Sequence, residues 1–168
     1  ITSTGAFSTT GDVNLAANIT TTDTNLTIGG NLVIAEAATP TLSTGAGTAG
    51  NVLVSGTTNG TTGGVAETLT VQAGTGTATF TGNVGNNANG TELEALTITN
   101  AAATTFSGTL DLANALTQTN AATGTTTFTG AVAVGSADLK GTAYALNNSF
   151  ASGGTTSITN SGTVTKNA

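Results

Sequence analysis

The sequence predicts an all-β protein: a β-solenoid, similar to a parallel β-helix, of about seven coils with 21–26-residue repeats. Threonine supplies about a quarter of the chain, and Thr and Val favour strands because they branch at Cβ. One motif recurs, as "ATFTGNV" (78–84), "TTFSGTLDL" (104–112) and "TTFTGAVAV" (126–134). A hydrophobic fraction of 37%, placed in alternation, argues against disorder.

An apolar anchor recurs at spacings of 21, 26, 26, 26, 22 and 22 residues. Because alternate residues of a strand share a face, Phe106, Gly108 and Leu110 are predicted to point inward together, and the glycine leaves room for the ring or for a bend. Coils stacked about 4.8 Å apart would bury this face continuously. The anchors predicted to form this internal ladder are Phe7, Ile28, Val54, Phe80, Phe106, Phe128 and Phe150.

A second strand in each unit is predicted from leucines 9 to 12 residues before the first anchor, namely Leu69, Leu96, Leu116 and Leu139, with Leu42 and Ile19 as weaker candidates. Segments 56–64, 85–90 and 120–126 are rich in Gly and Asn and are predicted to be corners. No boundary divides the chain, so residues 1–168 are interpreted as one domain. An antiparallel sandwich or barrel of short strands is the main alternative.

Charge and composition exclude several classes of function. Two lysines, no arginine and a net charge of −6 provide no basic surface for nucleic acid. No apolar run is long enough to cross a bilayer, so no membrane insertion is expected. Without His or Cys the chain lacks the usual general base and the usual metal ligands. The sequence therefore predicts a protein that is not an enzyme and has no cofactor and no metal.

Pairs of threonines one residue apart suggest a surface-binding array. They adjoin the second anchor in three successive units, and stacking would place their hydroxyl and methyl groups on a grid of about 7 by 4.8 Å. Such arrays resemble the ice-binding faces of antifreeze β-solenoids. Lys140 interrupts the array in the next unit, and chance pairs are common in a threonine-rich chain. The predicted array consists of Thr68, Thr70, Thr97, Thr99, Thr117 and Thr119.

Glu92 and Glu94 are the best candidates for chemistry involving carboxylates. On one strand face they would lie about 7 Å apart, a spacing that suits either glycoside hydrolysis or weak Ca²⁺ binding. The simpler interpretation is that both are solvated residues beside the 85–90 corner. No acidic motif typical of a calcium loop accompanies them.

The units "TFTGAVAV" and "ALTITNAAATTFSG" resemble the Thr/Gly/Ala-rich strand repeats of large bacterial surface proteins, namely filamentous-haemagglutinin-type and autotransporter-type adhesins and surface-layer proteins. This resemblance implies an exported, extracellular or cell-surface solenoid, and it carries over no catalytic residues. Neither terminal segment contains a recognisable cap, apart from Lys166 as a gatekeeper.

The expected role is that of a structural subunit of a filament, a layer or an adhesin stalk. Its partner is expected to be a copy of itself stacked head to tail or neighbouring repeats of a longer chain. Ice binding and carbohydrate binding are the alternatives.

Overall fold

The computed structural model describes residues 1–47, 50–61, 66–86 and 93–167, and within these residues it contains strands but no helix. The strands are β1 (Thr2–Ser3), β2 (Phe7–Thr9), β3 (Val13–Leu15), β4 (Ile19–Thr21), β5 (Leu26–Ile28), β6 (Leu32–Ile34), β7 (Thr41–Ser43), β8 (Val52–Val54), β9 (Thr58–Asn59), β10 (Thr68–Gln72), β11 (Thr77–Phe80), β12 (Ala95–Asn100), β13 (Ala103–Phe106), β14 (Leu110–Asp111), β15 (Ala115–Phe128), β16 (Val132–Val134), β17 (Ser136–Leu146), β18 (Phe150–Ser152), β19 (Thr156–Asn160) and β20 (Val164–Lys166).

These strands form three rows, which we call faces A, B and C. Face A follows the order β1-β4-β7-β10-β12-β15-β17-β19, and face B the order β2-β5-β8-β11-β13-β15-β17-β20. Face C contains β3-β6-β9 and β14-β16-β18, which are bridged by Val84. The two long strands β15 and β17 pass from face A to face B, so these two faces form one sheet.

All of these pairings are parallel and join strands that lie one repeat apart in the sequence. This pattern confirms the predicted all-β solenoid, and it excludes the antiparallel alternative for the described strands. The number of about seven coils stays a prediction, because several connecting stretches lie outside the described residues.

The core is a continuous column of aliphatic and aromatic side chains inside the three faces. In β5, β6 and β8 the first and third residues are buried and the middle residue is half-buried, as period-2 alternation requires. The inward side chains of one coil are covered by contact with the neighbouring coils. The hydrophobic core therefore exists only in the stack, as expected of a solenoid.

The phenylalanine ladder occupies one inward position of face B. Parallel register places Ile28 beside Val54, Val54 beside Phe80, Phe80 beside Phe106 and Phe106 beside Phe128. All five side chains are buried. The three rings stack nearly parallel, with centroids 5.3 and 5.2 Å apart and interplanar angles of 6° and 4°. The middle of the predicted ladder is therefore present as expected.

Phe7 and Phe150 were wrongly placed in this ladder. Phe7 pairs with Leu26, so Thr9 is the residue that lies beside Ile28. Leu146 takes the place beside Phe128, and Phe150 belongs to face C, where it pairs with Val132. Fewer residues separate Phe128 from its neighbour in the next coil than the predicted spacing requires, because β17 runs continuously from face A to face B. The ring of Phe150 still meets that of Phe128 edge-on, with centroids 5.7 Å apart.

The glycine of the recurring motif marks a corner, not a continuing strand. Strand β13 ends at Phe106 and β14 begins at Leu110, so the predicted inward alternation through Gly108 was wrong. A Cβ on Gly82 would lie 2.4 Å from the carbonyl oxygen of Gly56, and one on Gly130 would lie 2.3 Å from that of Gly108. Backbones of successive coils approach too closely here for a side chain, so glycine recurs two residues after each of the five ladder residues from Ile28 to Phe128.

The second anchors are in register only in part. Leu69, Leu96 and Leu116 lie side by side on face A, as predicted. Leu139 instead pairs with Gln118, and Leu42 pairs with Val71. Each shift displaces the expected alignment by two residues, which preserves the inward direction of the side chains while changing their neighbours.

Asparagine side chains close the corners between coils. The Oδ1 atom of Asn51 accepts a hydrogen bond from the backbone N–H of Thr77 at 2.8 Å, and its own N–H donates to Oδ1 of Asn25 at 2.9 Å. At the next corner, Asn31 accepts from the N–H of Thr57 at 2.9 Å. These bonds satisfy backbone donors where the strand ladder is interrupted.

Candidate binding faces

Face A carries one row of threonines, not the predicted two-column array. Thr41, Thr70, Thr97 and Thr117 lie in consecutive positions of this row. Thr68, however, lies beside Ala95, because the first pair is shifted by two residues relative to the second. Thr99 and Thr119 are neighbours through a bond from Thr119 Oγ1 to the Thr99 carbonyl (3.2 Å). The pair Thr68/Thr70 is therefore out of register with the other two predicted pairs.

Two features further disrupt the outer surface of face A. The register shifts between Val71 and Gln72, where Gln72 pairs with Asn100. In the next coil Asp138 follows Thr117, and Lys140 and Asp138 form an ion pair (Nζ–Oδ2 3.1 Å) with both side chains about half exposed. The interruption predicted at Lys140 therefore involves two charges.

Face B carries a more regular array of outward hydroxyl residues, which the sequence prediction did not include. On each side of the stacked rings lies an outward residue: Thr79 and Thr81 flank Phe80, for example. Register places Thr79 beside Thr105 and Thr105 beside Thr127. The outward set has three positions on each of three consecutive coils, and every position except Ala103 carries a hydroxyl group. We call these eight residues the hydroxyl lattice: Thr77, Thr79, Thr81, Thr105, Ser107, Thr125, Thr127 and Thr129.

The register of this lattice continues past the strand ends. The N–H of Thr81 donates to Val54, that of Ser107 to Phe80 and that of Thr129 to Phe106, at 2.9 Å in each case. The middle column is half-buried, whereas Thr81, Ser107 and Thr129 are exposed. Sequence reasoning missed the lattice, although the signal was the recurring Thr-Phe-Ser/Thr-Gly motif itself.

The hydroxyls of the lattice are almost all free of internal partners. Within the described residues only Thr77 Oγ1 has one, Oδ1 of Asn51 at 3.2 Å. No Asp, Glu, Lys or Arg occurs in 77–81, 103–107 or 125–129. The lattice is therefore an uncharged surface whose hydroxyls are available to whatever lies outside.

Of the predicted carboxylate pair, Glu92 lies outside the described residues. Glu94 is half-buried and its Oε1 accepts a hydrogen bond from Asn114 Nδ2. One coil earlier, Glu67 is buried, and its Oε1 accepts from the N–H of Thr61 at 3.0 Å. Over the part of the chain that the structure describes, no group of three or more acidic side chains could hold a metal ion.

A small polar cluster lies inside the solenoid where β15 and β17 pass from face A to face B. Thr126 Oγ1 donates to Gln118 Oε1 at 2.9 Å, and Gln118 Nε2 donates to the carbonyl of Lys140 at 3.0 Å. The hydroxyl of Tyr144 is buried, and no other described residue forms a hydrogen bond with it. Burial, with a contribution from the charge of Asp138, raises the pKa of Tyr144 from 10.0 to about 12.

No helix among the described residues is long and apolar enough to span a membrane. No protein-family model, no curated protein and no solved structure matches this chain.

Proposed function

We propose that this protein is a non-enzymatic, extracellular structural protein: a subunit of a surface filament or layer, or part of an adhesin stalk. It assembles by stacking strands end to end, either with copies of itself or with neighbouring repeats of a longer chain. The resemblance to bacterial surface proteins supports a location outside a bacterial cell.

The observation that carries the proposal is the state of the terminal strands. Among the described residues, β1, β2 and β3 pair along one edge only, and so do β18, β19 and β20. Their free edges present backbone N–H and C=O groups in the same parallel geometry that joins every pair of coils. Such edges are templates for another strand.

Apolar side chains at the two ends support the same proposal. Ile1 and Val164 are the exposed large hydrophobic residues of the described chain, at 67% and 45% exposure, and both are near an end of the stack. Phe7 and Phe150 are half-buried against the core at opposite ends. Another coil stacked on either end would cover these side chains, as the interior coils cover theirs.

Negative-stain electron microscopy over a range of protein concentrations tests self-assembly. We expect fibres whose length increases with concentration and whose diffraction shows a repeat of about 4.8 Å along the axis. If only short, separate rods form at every concentration, self-polymerisation is excluded and the stalk within a longer chain is the form of the proposal that remains.

A matched pair of variants in β20 tests whether strand stacking is the mechanism. Val164 points inward above Tyr144, so Val164→Asp would bury an unpaired carboxylate at the junction. Thr165→Asp adds the same charge to the outward side of the same strand. We expect fibres to be lost with Val164→Asp and retained with Thr165→Asp, provided that circular dichroism shows both variants folded. Equal behaviour of the two variants would contradict stacking through β20.

Ice binding is the second candidate function, because Thr41, Thr70, Thr97 and Thr117 form one in-register row on face A. A single row bounded by Asp138 and Lys140 gives this candidate less support than the free edges give to assembly. Thermal hysteresis of the purified protein, compared with that of Thr97→Leu and Thr117→Leu, tests it: ice binding through face A predicts loss in both variants.

A further inference from the structure

We propose that the hydroxyl lattice of face B is an ice-binding surface, whose ligand is the ordered water of an ice crystal. The inference rests on the second candidate function, ice binding, and moves its site from face A to face B. The lattice spans three coils with no register shift between neighbouring middle-column residues. Its repeats are about 4.8 Å between coils and about 7 Å along a strand.

The lattice is rigid because of what lies behind it and because of the residues that form it. Phe80, Phe106 and Phe128 stack directly inside the face, with nearly parallel rings, so the three coils are held at a constant spacing. Threonine, which supplies seven of the eight lattice hydroxyls, is restricted at χ1 by its branched Cβ, so these hydroxyl and methyl groups have few possible directions. Water molecules bound to such hydroxyls repeat at the spacing of the lattice.

Ordered water fits this surface because the hydroxyls need external partners in a fixed arrangement. Apart from Thr77, they make no hydrogen bonds within the described chain, so each must bond to something outside. A surface whose groups are already in place loses little conformational entropy when it meets a partner with the same periodicity. The interleaved methyl groups and the absence of charge leave the adjoining water free to order around the hydroxyls.

Other occupants fit less well. The apolar face of a sugar ring stacks best on an exposed aromatic ring, but the three phenylalanines behind the lattice are only 1–2% exposed. A stable protein interface has a core rich in large apolar or aromatic residues. The lattice presents none of these, and the exposed large hydrophobics of the described chain are at its ends. The chemistry of the face therefore favours a repeating water lattice over a glycan or a protein.

Partition of fluorescently labelled monomeric protein into slowly growing ice tests the proposal, together with thermal hysteresis. Thr105→Lys places a long charged side chain at the centre of the lattice, and its desolvation against ice is unfavourable. Thr97→Lys is the matched control: it lies on face A of the same coil, is also half-buried and also has in-register threonine neighbours. Melting temperatures of both variants check that the fold is retained.

We expect wild-type protein and Thr97→Lys to enter the ice. The amount of Thr105→Lys taken up by the ice should be lower by about tenfold or more. Exclusion of Thr97→Lys with normal uptake of Thr105→Lys would overturn the assignment to face B while leaving ice binding through face A intact. Absence of ice uptake by the wild-type protein would overturn both. Retention on crystalline cellulose, lost in Thr105→Lys and without ice uptake, would overturn ice as the ligand and assign a glycan instead.

Discussion

At the residue scale, Tyr144 combines a well-packed aromatic ring with an unfavourably buried hydroxyl group. It is the only tyrosine in the chain, it is 1% exposed, and its hydroxyl has no hydrogen-bond partner among the described residues. A buried polar group without a partner destabilises the folded state relative to an apolar group of the same shape. Its neighbours along the same inward row are Thr126, whose hydroxyl donates to Gln118, and Val164, whose side chain has no polar group.

Tyr144→Phe is therefore expected to raise the free energy of unfolding by about 1 kcal/mol near neutral pH. The pKa of Tyr144 is 10.0 in the reference state and about 12 in the fold, so the unfolded chain releases its proton first as the pH rises. Wild-type stability should fall between about pH 10 and pH 12, and Tyr144→Phe should lose this component. Denaturant unfolding at several pH values, with absorbance titration of the tyrosine, measures both effects.

A wild-type tyrosine that titrates near pH 10 in the folded protein would contradict the burial of its hydroxyl. Denaturant curves of Tyr144→Phe that show the same alkaline decline as wild type would assign that decline to other groups.

Gly82 is restricted by the neighbouring coil and not by its own backbone angles. A Cβ there would lie 2.4 Å from the carbonyl oxygen of Gly56 and 2.5 Å from its carbon. Because backbone atoms cannot move aside easily, Gly82→Ala is expected to destabilise the protein by about 2 kcal/mol or more. Thermal unfolding would show a lower midpoint.

Gly5→Ala is the control for Gly82→Ala. No atom lies within 4 Å of a Cβ built on Gly5, so the only expected effect is a small gain from a less flexible unfolded chain. Equal destabilisation by the two changes would indicate that the corner tolerates a side chain.

At the scale of elements, the phenylalanine ladder joins β11, β13 and β15 through their inward side chains. Phe106 is the central ring and has a stacked neighbour on each side. Phe106→Ala would leave a cavity between two coils and is expected to lower the free energy of unfolding by about 3–5 kcal/mol. Phe106→Leu should lower it less, because leucine keeps most of the side-chain volume. Chemical denaturation of the purified variants gives both values.

Phe150→Ala serves as the comparison, since that ring is half-buried and meets Phe128 edge-on with centroids 5.7 Å apart. We expect Phe150→Ala to lower the free energy of unfolding less than Phe106→Ala does. If the two losses were equal, the stacked position would contribute nothing beyond the burial of an aromatic ring.

The strands themselves were largely predictable, because alternation and anchor spacing report local structure. Phe80, Phe106 and Phe128 could be aligned since each is followed by a corner glycine at the same distance. Phe7 and Phe150 could not, because the step between coils changes length where corners differ, and a bulky residue fits the interior from more than one face. Where a strand ends was also hidden: at Gly108 the reason is a clash with the preceding coil, which is a long-range contact.

The candidate sites were harder to predict than the fold. Period-2 alternation says that Thr68 and Thr97 both point outward, but not that Thr68 lies beside Ala95. A shift of two residues leaves the inward pattern unchanged, so nothing in the hydrophobic spacing reveals it. The lattice of face B follows from the same motif that revealed the ladder, but only the observed register of Thr79, Thr105 and Thr127 makes it a surface.

At the scale of the whole molecule, each interior coil contacts the coils before and after it, and stability is distributed along the stack as a sum of neighbouring interfaces. The terminal coils have one such interface each, so they are the least stable part of the described chain. Stacking against another solenoid would give them the second interface that interior coils already have.

The direction of the hydrogen bonds has a mechanical consequence. Bonds between coils run along the axis, so tension applied to the two ends acts on every interface between coils in series. The terminal coils, which are paired on one side only, are expected to detach first. One repeat of 26 residues adds about 4.8 Å to the folded rod but spans roughly 85 Å when drawn out. A stalk built this way would lengthen by a large step for each coil released, and this extension would limit the force that a sudden pull transmits to its attachment.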